Sequence, residues 1–175
     1  GQRVIGLVGM QQPEIEEPMP DSLHTVGTLA VIHRVIRGSD NNLQVIVQGL
    51  ERLKIEEWTA TEPYLKARIR LEPDRVDEGV EAEALRRGLV QVAQEVISLM
   101  PDVPRELSVF LDQVQDARHL VYMIGANAQM NLEQLQRLLE LDHVNDKMRL
   151  LIEHLTHEKE VLSLRQKITE EAQEE

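Results

Sequence analysis

The sequence contains no cysteine, so neither disulfide bonds nor thiolate metal sites can contribute to this fold. Aromatic residues are almost as scarce, and the whole set consists of Trp58, Tyr64, Phe110 and Tyr122. The core must therefore be built from Leu, Val, Ile, Ala and Met. A stacking platform for bases or sugars, which needs several aromatic rings, is not expected.

Positive charge is also in short supply, because 19 Lys and Arg stand against 31 Asp and Glu, a formal net charge of -12. Most of the excess lies after Arg75, where ten basic side chains accompany twenty acidic ones. Such a surface repels nucleic-acid phosphates and anionic membranes. The longest apolar runs are far below the roughly 20 residues that span a bilayer, and no secretory signal is visible. We therefore expect no membrane partner, disfavour nucleic acid, and predict a cytoplasmic protein.

The region from Arg3 to Leu71 has the pattern of β-strands. "RVIGLV" is a short apolar run, and "TVGTLAVIHRVI" is apolar at both alternating sets of positions, which predicts a strand covered on both faces. The segment "RGSDNN", Arg37 to Asn42, supplies residues typical of a hairpin loop and turns the chain back into "LQVIVQ". Gly49 then interrupts the apolar run, which predicts a bulge or a sharp bend.

After Gly49, apolar and polar residues alternate, as in strands that expose one face to water. The core-facing set in "RLKIEEW" and "YLKARIRL" is Leu53, Ile55, Leu65, Ala67, Ile69 and Leu71. The set predicted to point into water is Arg52, Lys54, Glu56, Lys66, Arg68 and Arg70. Short, evenly spaced strands of this kind predict a small bent sheet or barrel.

From Asp77 onward the apolar period becomes that of a helix. The stripe consists of Leu85, Leu89, Val92, Val96 and Met100. Pro101 and Pro104 follow it and predict the end of this first helix.

Four further helices are predicted. The second lies in "PRELSVFLDQV" and the third in "DARHLVYMIGANA", with Asp116 as its N-cap. Asn131 and Gln134 resemble the capping box of a fourth helix, whose inward residues we expect to be Leu132, Leu135 and Leu139. The stretch from Val144 to about Ala172 has neither Pro nor Gly, so we predict one long helix.

Catalytic and cofactor motifs are missing from the chain. His154 and His157 share a helical face in "HLTHE", but their order matches neither HExxH nor HxxEH. No serine lies in a GxSxG context, and no phosphate-binding loop of the GxxxxGK(S/T) type is present. Acidic pairs such as Glu56 and Glu57 are adjacent in sequence and so point in different directions. We predict a chain without catalytic residues, metal or cofactor of its own.

The segment between the first two predicted strands, "VGMQQPEIEEPMPDSLHT", stands out from its neighbours. Three prolines and four acidic residues predict an extended, exposed loop that also carries apolar side chains. Exposed methionine is a flexible contact surface for varied partners, so we predict protein-substrate contacts at Met10, Met19 and Leu23. The alternative is that Met19 and Leu23 fold down to cover an open sheet edge.

Several segments follow one another in a distinctive order: "IGLV", "LHTVGTLAVI", "LQVIVQGLERLKI" and then "PYLKAR". In order and spacing they resemble the amino-terminal domain of Lon-type ATP-dependent proteases. The stretch from "DARHLVYMIGANA" to "EVLSLRQKI" is similar to the helical subdomain of that family and to the start of its connecting helix. The resemblance thus covers nearly the whole chain.

The resemblance implies an α+β fold, in which a PUA-like bent β-sheet or pseudo-barrel is followed by an α-helical bundle that ends in a long helix. The implied divisions are 1–75 for the β-rich PUA-like subdomain, 76–143 for the helical subdomain and 144–175 for the long helix toward an ATPase module. The family normally begins with a strand and a helix carrying an "LPLRNxVLFPG"-like stretch, which this sequence lacks. We expect the chain to be a fragment of a longer protein.

The implied function is non-catalytic recognition of unfolded, damaged or degron-bearing polypeptides, together with support of hexamer assembly. The parent protein would be an ATP-dependent serine endopeptidase that uses ATP and Mg, with its Ser/Lys dyad and its ATP site outside this chain. None of the catalytic residues of the family is carried over to a position in this sequence.

Two alternatives remain open at this point. PUA-like folds also occur in RNA-binding proteins, and Lys66, Arg68 and Arg70 form a local basic strip, unless these cations pair with Glu56 or its neighbours in solvent. A standalone regulatory protein would use the helix from Val144 as a coiled coil, for which the heptad signal lasts barely three turns.

Overall fold

The computed structural model describes residues 3–174, which form four strands and five helices. The strands are β1 (Arg3–Met10), β2 (Leu23–Arg37), β3 (Leu43–Ala60) and β4 (Lys66–Leu71), with a short 3-10 helix at Pro20–Ser22. The helices are α1 (Val80–Ser98), α2 (Glu106–Gln113), α3 (Ala117–Asn127), α4 (Leu132–Glu140) and α5 (Val144–Glu174). One compact unit ends at Pro73 and a second begins at Asp74. The predicted α+β class, with a bent sheet followed by helices and a final long helix, is confirmed.

The four strands form an open antiparallel sheet in the order β1-β2-β3-β4. Gly49 lies at a bulge, as predicted, because the pairing changes from Leu29 with Glu51 to Ala30 with Gly49 and leaves Leu50 as the extra residue. The loop between β2 and β3 is the predicted hairpin loop, with Asn41 at a φ of 61°. A bulge in a long strand pair adds twist and bends the sheet.

The buried part of the sheet lies near the first half of β2 and the second half of β3. Its buried apolar residues are Leu23, Ala30, Val31, Leu53 and Ile55. Gly27 lies where β1 and β2 approach closely, since a Cβ atom there would come within 2.2 Å of the Leu7 carbonyl oxygen. No residue with a side chain fits this position without moving β1.

One polar residue of β3 lies on the side opposite to the prediction. Arg52 was expected in water but is buried, and its Nε donates a hydrogen bond to the Glu72 carbonyl oxygen at 2.8 Å. The physical reason is that the chain leaving β4 brings a backbone acceptor beside the guanidinium, so the buried donor is satisfied. Lys54 and Glu56 are exposed as predicted.

The core of the helical unit follows the predicted stripes. Leu89, Val92 and Val96 of α1 are buried, and α1 ends at Ser98, before Pro101. The buried residues of α5 include Val144, Met148, Leu151 and Leu155. These stripes pack together with buried residues of α2, α3 and α4 in one apolar cluster.

The predicted helix caps are present. The Asp116 carboxylate accepts a hydrogen bond from the His119 backbone N–H, and Asn131 with Gln134 forms the capping box of α4. The prediction that Leu132 faces inward is wrong, because Leu132 is exposed and Leu138 is the buried residue of α4. The carboxyl end of α4 is the end tied to α5, whereas Leu132 lies in its first turn.

A buried ion pair joins the beginning of the helical unit to three of its helices. Lys147 is fully buried, and its Nζ lies 3.4 Å from Oδ1 of Asp74, whose side chain is also fully buried. The same Nζ donates hydrogen bonds to the carbonyl oxygens of Leu138 and Leu139. Asp74 Oδ2 accepts from the Tyr122 hydroxyl at 2.5 Å and from Arg118 Nε at 3.2 Å. Such a pair is tolerated in a core because hydrogen bonds surround both charges.

We predict that replacing Lys147 with Met lowers the free energy of unfolding by about 3–5 kcal/mol, because the Asp74 carboxylate then stays buried without the ammonium group. Urea unfolding followed by helical circular dichroism measures the loss. Arg149→Met is the control, since Arg149 pairs with Asp146 and Glu81 in solvent and should cost under about 1 kcal/mol. Equal losses in the two variants would contradict the role given to the buried pair.

Candidate functional site

The outer half of the β2–β3 hairpin carries apolar side chains on one exposed face. Val35 pairs with Val45 across the two strands, and Leu43 and Val47 lie two residues to either side of Val45. Directly paired residues and alternate residues of one strand share a face of a sheet. We call Val35, Leu43, Val45 and Val47 the hairpin surface. Their exposed fractions range from 37% to 59%, which is high for four adjacent branched apolar residues.

This exposure overturns the prediction that the second strand is covered on both faces. The last described pair between β1 and β2 is Arg3 with Ile32, and β4 pairs with β3 only from Leu53 onward. Between these limits the hairpin extends past both neighbouring strands within residues 3–174. The apolar residues at both parities were read as a buried strand, but burial needs a covering layer. The exposed apolar residues that the sequence did not predict are therefore those of the hairpin surface.

The hairpin also has an unusual distribution of charge. From Leu43 to Leu50, β3 contains no charged residue and no proline. The facing strand carries Arg34 and Arg37, which pair with Ile46 and Leu43 in the register. In the described part of the chain neither guanidinium takes part in an ion pair. From Arg34 to Leu50 the hairpin thus carries two guanidinium groups and one carboxylate, Asp40 in the loop, in a chain whose net charge is -12.

The residues predicted from the loop lie at the other end of β1. Met10 pairs with Leu23 across β1 and β2, and Met19 immediately precedes the 3-10 helix. Met10 and Met19 are exposed, whereas the Leu23 side chain is inside the sheet. The structure therefore brings the three residues close in the fold but presents only two at the surface. The substrate contacts predicted for them remain a prediction.

The loop also forms a shallow cleft of about 380 Å³, which is lined in part by Gln11, Gln12, Ile15 and Met19. Backbone and side-chain hydrogen bonds hold its ends together, because the Gln11 N–H donates to the Ser22 carbonyl and the Gln11 amide donates to the Leu23 carbonyl. This cleft presents Met19 beside amide and carboxylate groups.

The helical unit contains a separate apolar cavity of about 290 Å³. Its walls come from α1, α2, α3 and α5 and include Val96, Met100, Leu107 and Met123. Several wall residues, such as Val96, also belong to the buried core. We read this cavity as an extension of core packing with an open side.

Within residues 3–174, no group of three or more His, Cys, Asp or Glu side chains is placed to hold a metal ion. His154 and His157 border a pocket that also contains Arg137 and Arg149. The hydroxyl groups of Ser22 and Ser98 donate to nearby backbone carbonyl oxygens.

The basic strip on β4 is occupied by pairing within the sheet. Arg68 contacts Glu56 and Glu57 at 3.3 and 3.0 Å, and Arg70 contacts Glu72. The Arg70 hydrogen bond lowers the pKa of the Glu72 carboxyl below its ordinary value. Lys66 lies over the ring of Tyr64. The sequence left two alternatives for the basic strip, namely RNA binding or ion pairs with Glu56 and its neighbours. The ion pairs are present for Arg68 and Arg70.

Among the helices within residues 3–174, none combines the length and the apolar character that crossing a bilayer requires.

Comparison with solved structures shows the fold. The chain superposes on the "N terminal domain of Mycobacterium avium complex Lon protease" with a TM-score of 0.67 and 17% sequence identity, covering 89% of this chain and 90% of that one. The Lon N-terminal domain protein from Xanthomonas campestris matches with a TM-score of 0.52 over 86% of this chain. At this level of identity the matches establish a common fold.

Sequence comparison shows the family. A Lon protease from Dictyoglomus thermophilum is 34% identical over 175 residues, and one from Anaeromyxobacter dehalogenans is 38% identical over 168 residues. The chain spans about a fifth of the length of these relatives, 22% and 20%. The family profile described as "ATP-dependent protease La (LON) substrate-binding domain" matches residues 1–157. This chain belongs to the family of Lon substrate-binding domains.

Proposed function

We propose that this domain captures exposed apolar segments of unfolded or damaged polypeptides and that the hairpin surface is the main contact. The observation that carries the proposal is the set of four exposed branched apolar residues on one face of the β2–β3 hairpin. Because the chain belongs to a family of protease substrate-binding domains, its ligand is expected to be a protein. The acidic charge of the chain and the paired cations of β4 disfavour a polyanion.

The size of the hairpin surface suits weak, reversible binding. Burying a Val or Leu side chain completely contributes about 1.5–3 kcal/mol, and these four are already about half covered. Their combined contribution is then roughly 3–6 kcal/mol, against an association cost of at least about 4 kcal/mol. A single domain would bind an apolar segment weakly and release it readily. Several domains acting on one unfolded chain would bind it more tightly through effective concentration.

We further propose that the parent protein is a Lon-type ATP-dependent serine endopeptidase. It would act in the cytoplasm as a hexamer, with ATP, Mg and the Ser/Lys dyad in other modules. Captured or degron-bearing substrates would pass from this domain to the ATPase module. The 31-residue helix α5 supports such a connection, because its exposed apolar residues Leu164 and Ile168 lie in its last turns, beyond the buried stripe.

The hairpin surface is tested by replacing Leu43 and Val45 together with Ser. We expect roughly a tenfold or greater loss of affinity for a permanently unfolded protein, such as a fluorescent, carboxymethylated α-lactalbumin, because two apolar contacts disappear. Fluorescence anisotropy with the 175-residue chain measures binding, and circular dichroism checks folding.

The matched control replaces Leu164 and Val109 with Ser, since their exposed fractions of 59% and 60% are similar to or greater than that of Leu43. This control should change affinity less than about twofold. Equal effects of the two double variants would contradict a role for the hairpin surface.

The loop contacts are tested by a second double variant, Met10→Ser with Met19→Ser. We expect a smaller loss of affinity, about two- to fivefold, because flexible methionines add apolar contact beside a shallow cleft. The same anisotropy titration measures it. Leu23 is left unchanged because its side chain is buried and its replacement would destabilise the sheet. Unchanged affinity would remove Met10 and Met19 from the binding surface.

A further inference from the structure

We infer that substrate segments bind by strand addition, as an extra β-strand along the edge of β3 from Leu43 to Leu50. This inference rests on the proposed function and specifies how the same hairpin recognises a substrate. The segment of β3 in question is defined here as the open edge. Its occupant is an extended stretch of an unfolded polypeptide with alternating apolar residues and a neighbouring carboxylate.

The pairing register defines the open edge. β2 covers one side of β3 along its outer half, while β4 begins to pair on the other side at Leu53. The Glu72 N–H donates to the Arg52 carbonyl and extends that contact by one residue. From Leu43 to Leu50, β3 has a hydrogen-bonded neighbour on only one side within residues 3–174. All eight of these residues are exposed.

The open edge lacks the features that normally prevent strand pairing. Natural edges are protected by charged side chains, by proline, or by being short or strongly twisted. "LQVIVQGL" contains neither a charge nor a proline, and its own extra residue, Leu50, lies at the inner end. The other bulge of this strand pair is on β2, where His33 is the extra residue opposite Ile46 and Val47. A backbone edge of this kind offers alternate N–H and C=O groups to any extended chain. Its apolar side chains add contacts with alternate residues of the incoming strand.

Charge complementarity limits which polypeptide segments bind well at the open edge. Arg34 and Arg37 lie on β2, one strand away from the open edge, and make no ion pair among the described residues. Adjacent strands are about 4.8 Å apart, so an added strand lies roughly 10 Å from β2. An extended guanidinium side chain on β2 and a carboxylate side chain on the added strand can meet across that distance. An alternating apolar segment with Glu or Asp is therefore preferred over the same segment with Lys.

This mode of binding also explains selection of unfolded chains. Backbone hydrogen bonds are available to every sequence except at proline, whereas in a folded protein the same groups are already paired. Recognition then depends on backbone availability and on an alternating apolar pattern. The domain requires no unique side-chain motif in its substrate.

The decisive experiment uses one eight-residue peptide that alternates apolar and polar residues and contains one Glu, in two N-methylated forms. One form is methylated at alternate amides of one parity, and the other at those of the opposite parity. A strand added to a single edge uses only one parity of N–H groups. We expect one form to lose roughly tenfold or more in affinity for the 175-residue chain, and the other to stay within about threefold of the unmodified peptide.

A charge exchange provides the second arm. Arg34→Glu with Arg37→Glu should weaken binding of the Glu peptide and strengthen binding of the matching Lys peptide. Arg165→Glu with Lys167→Glu changes the net charge equally on α5 and should leave the Glu-to-Lys preference unchanged.

The outcomes separate this inference from the proposed function. Equal binding by both methylated forms, or equal loss in both, overturns strand addition, while the Leu43 and Val45 result still stands by itself. If unfolded protein does not bind the unaltered chain at all, the proposed function fails. If sedimentation shows a dimer that the peptide cannot dissociate, the open edge pairs with a second copy, and strand addition by substrate is overturned.

Discussion

The exposure of the hairpin surface depends on a mismatch of strand lengths. β2 and β3 have 15 and 18 residues, whereas β1 and β4 have only 8 and 6, and both short strands pair near the inner half of the hairpin. The outer half of the hairpin has apolar side chains but no third or fourth strand beside it within residues 3–174. The inner half uses the same residue types to build the core of the sheet. One strand pair thus forms the core of the sheet at one end and the proposed binding surface at the other.

The buried ion pair of the helical unit finds its partners within that unit. The Lys147 ammonium group lies buried beside the Asp74 carboxylate and donates hydrogen bonds to carbonyl oxygens at the carboxyl end of α4. Arg118 of α3 donates to the same carboxylate. A buried charge with several fixed partners favours one arrangement of the helices, because any alternative leaves the charge without them. The sheet unit carries its exposed backbone edge and apolar side chains at the hairpin. These features suit a rigid scaffold in the helical unit and the proposed contact surface in the sheet unit.

Local features were predictable from sequence, whereas features that depend on tertiary context were not. The predicted caps at Asp116 and at Asn131 with Gln134 are confirmed, because a helix cap depends on residues only three positions apart. The predicted stripe of α1 is confirmed because its helical periodicity repeats over about four turns. The burial of Arg52 was missed, because it depends on a carbonyl group twenty residues away. The hairpin surface was missed because an apolar strand reads the same whether or not another layer covers it.

Backbone hydrogen exchange tests the central claim most directly, because it reports on the open edge itself. The exchange of each amide of the 175-residue chain is compared with and without an excess of unfolded protein. Strand addition predicts slower exchange at alternate amides between Leu43 and Leu50, with little change in the helical unit. Unchanged exchange along this stretch, with slowing confined to the Met10–Leu23 region or to the walls of the helical cavity, would contradict it.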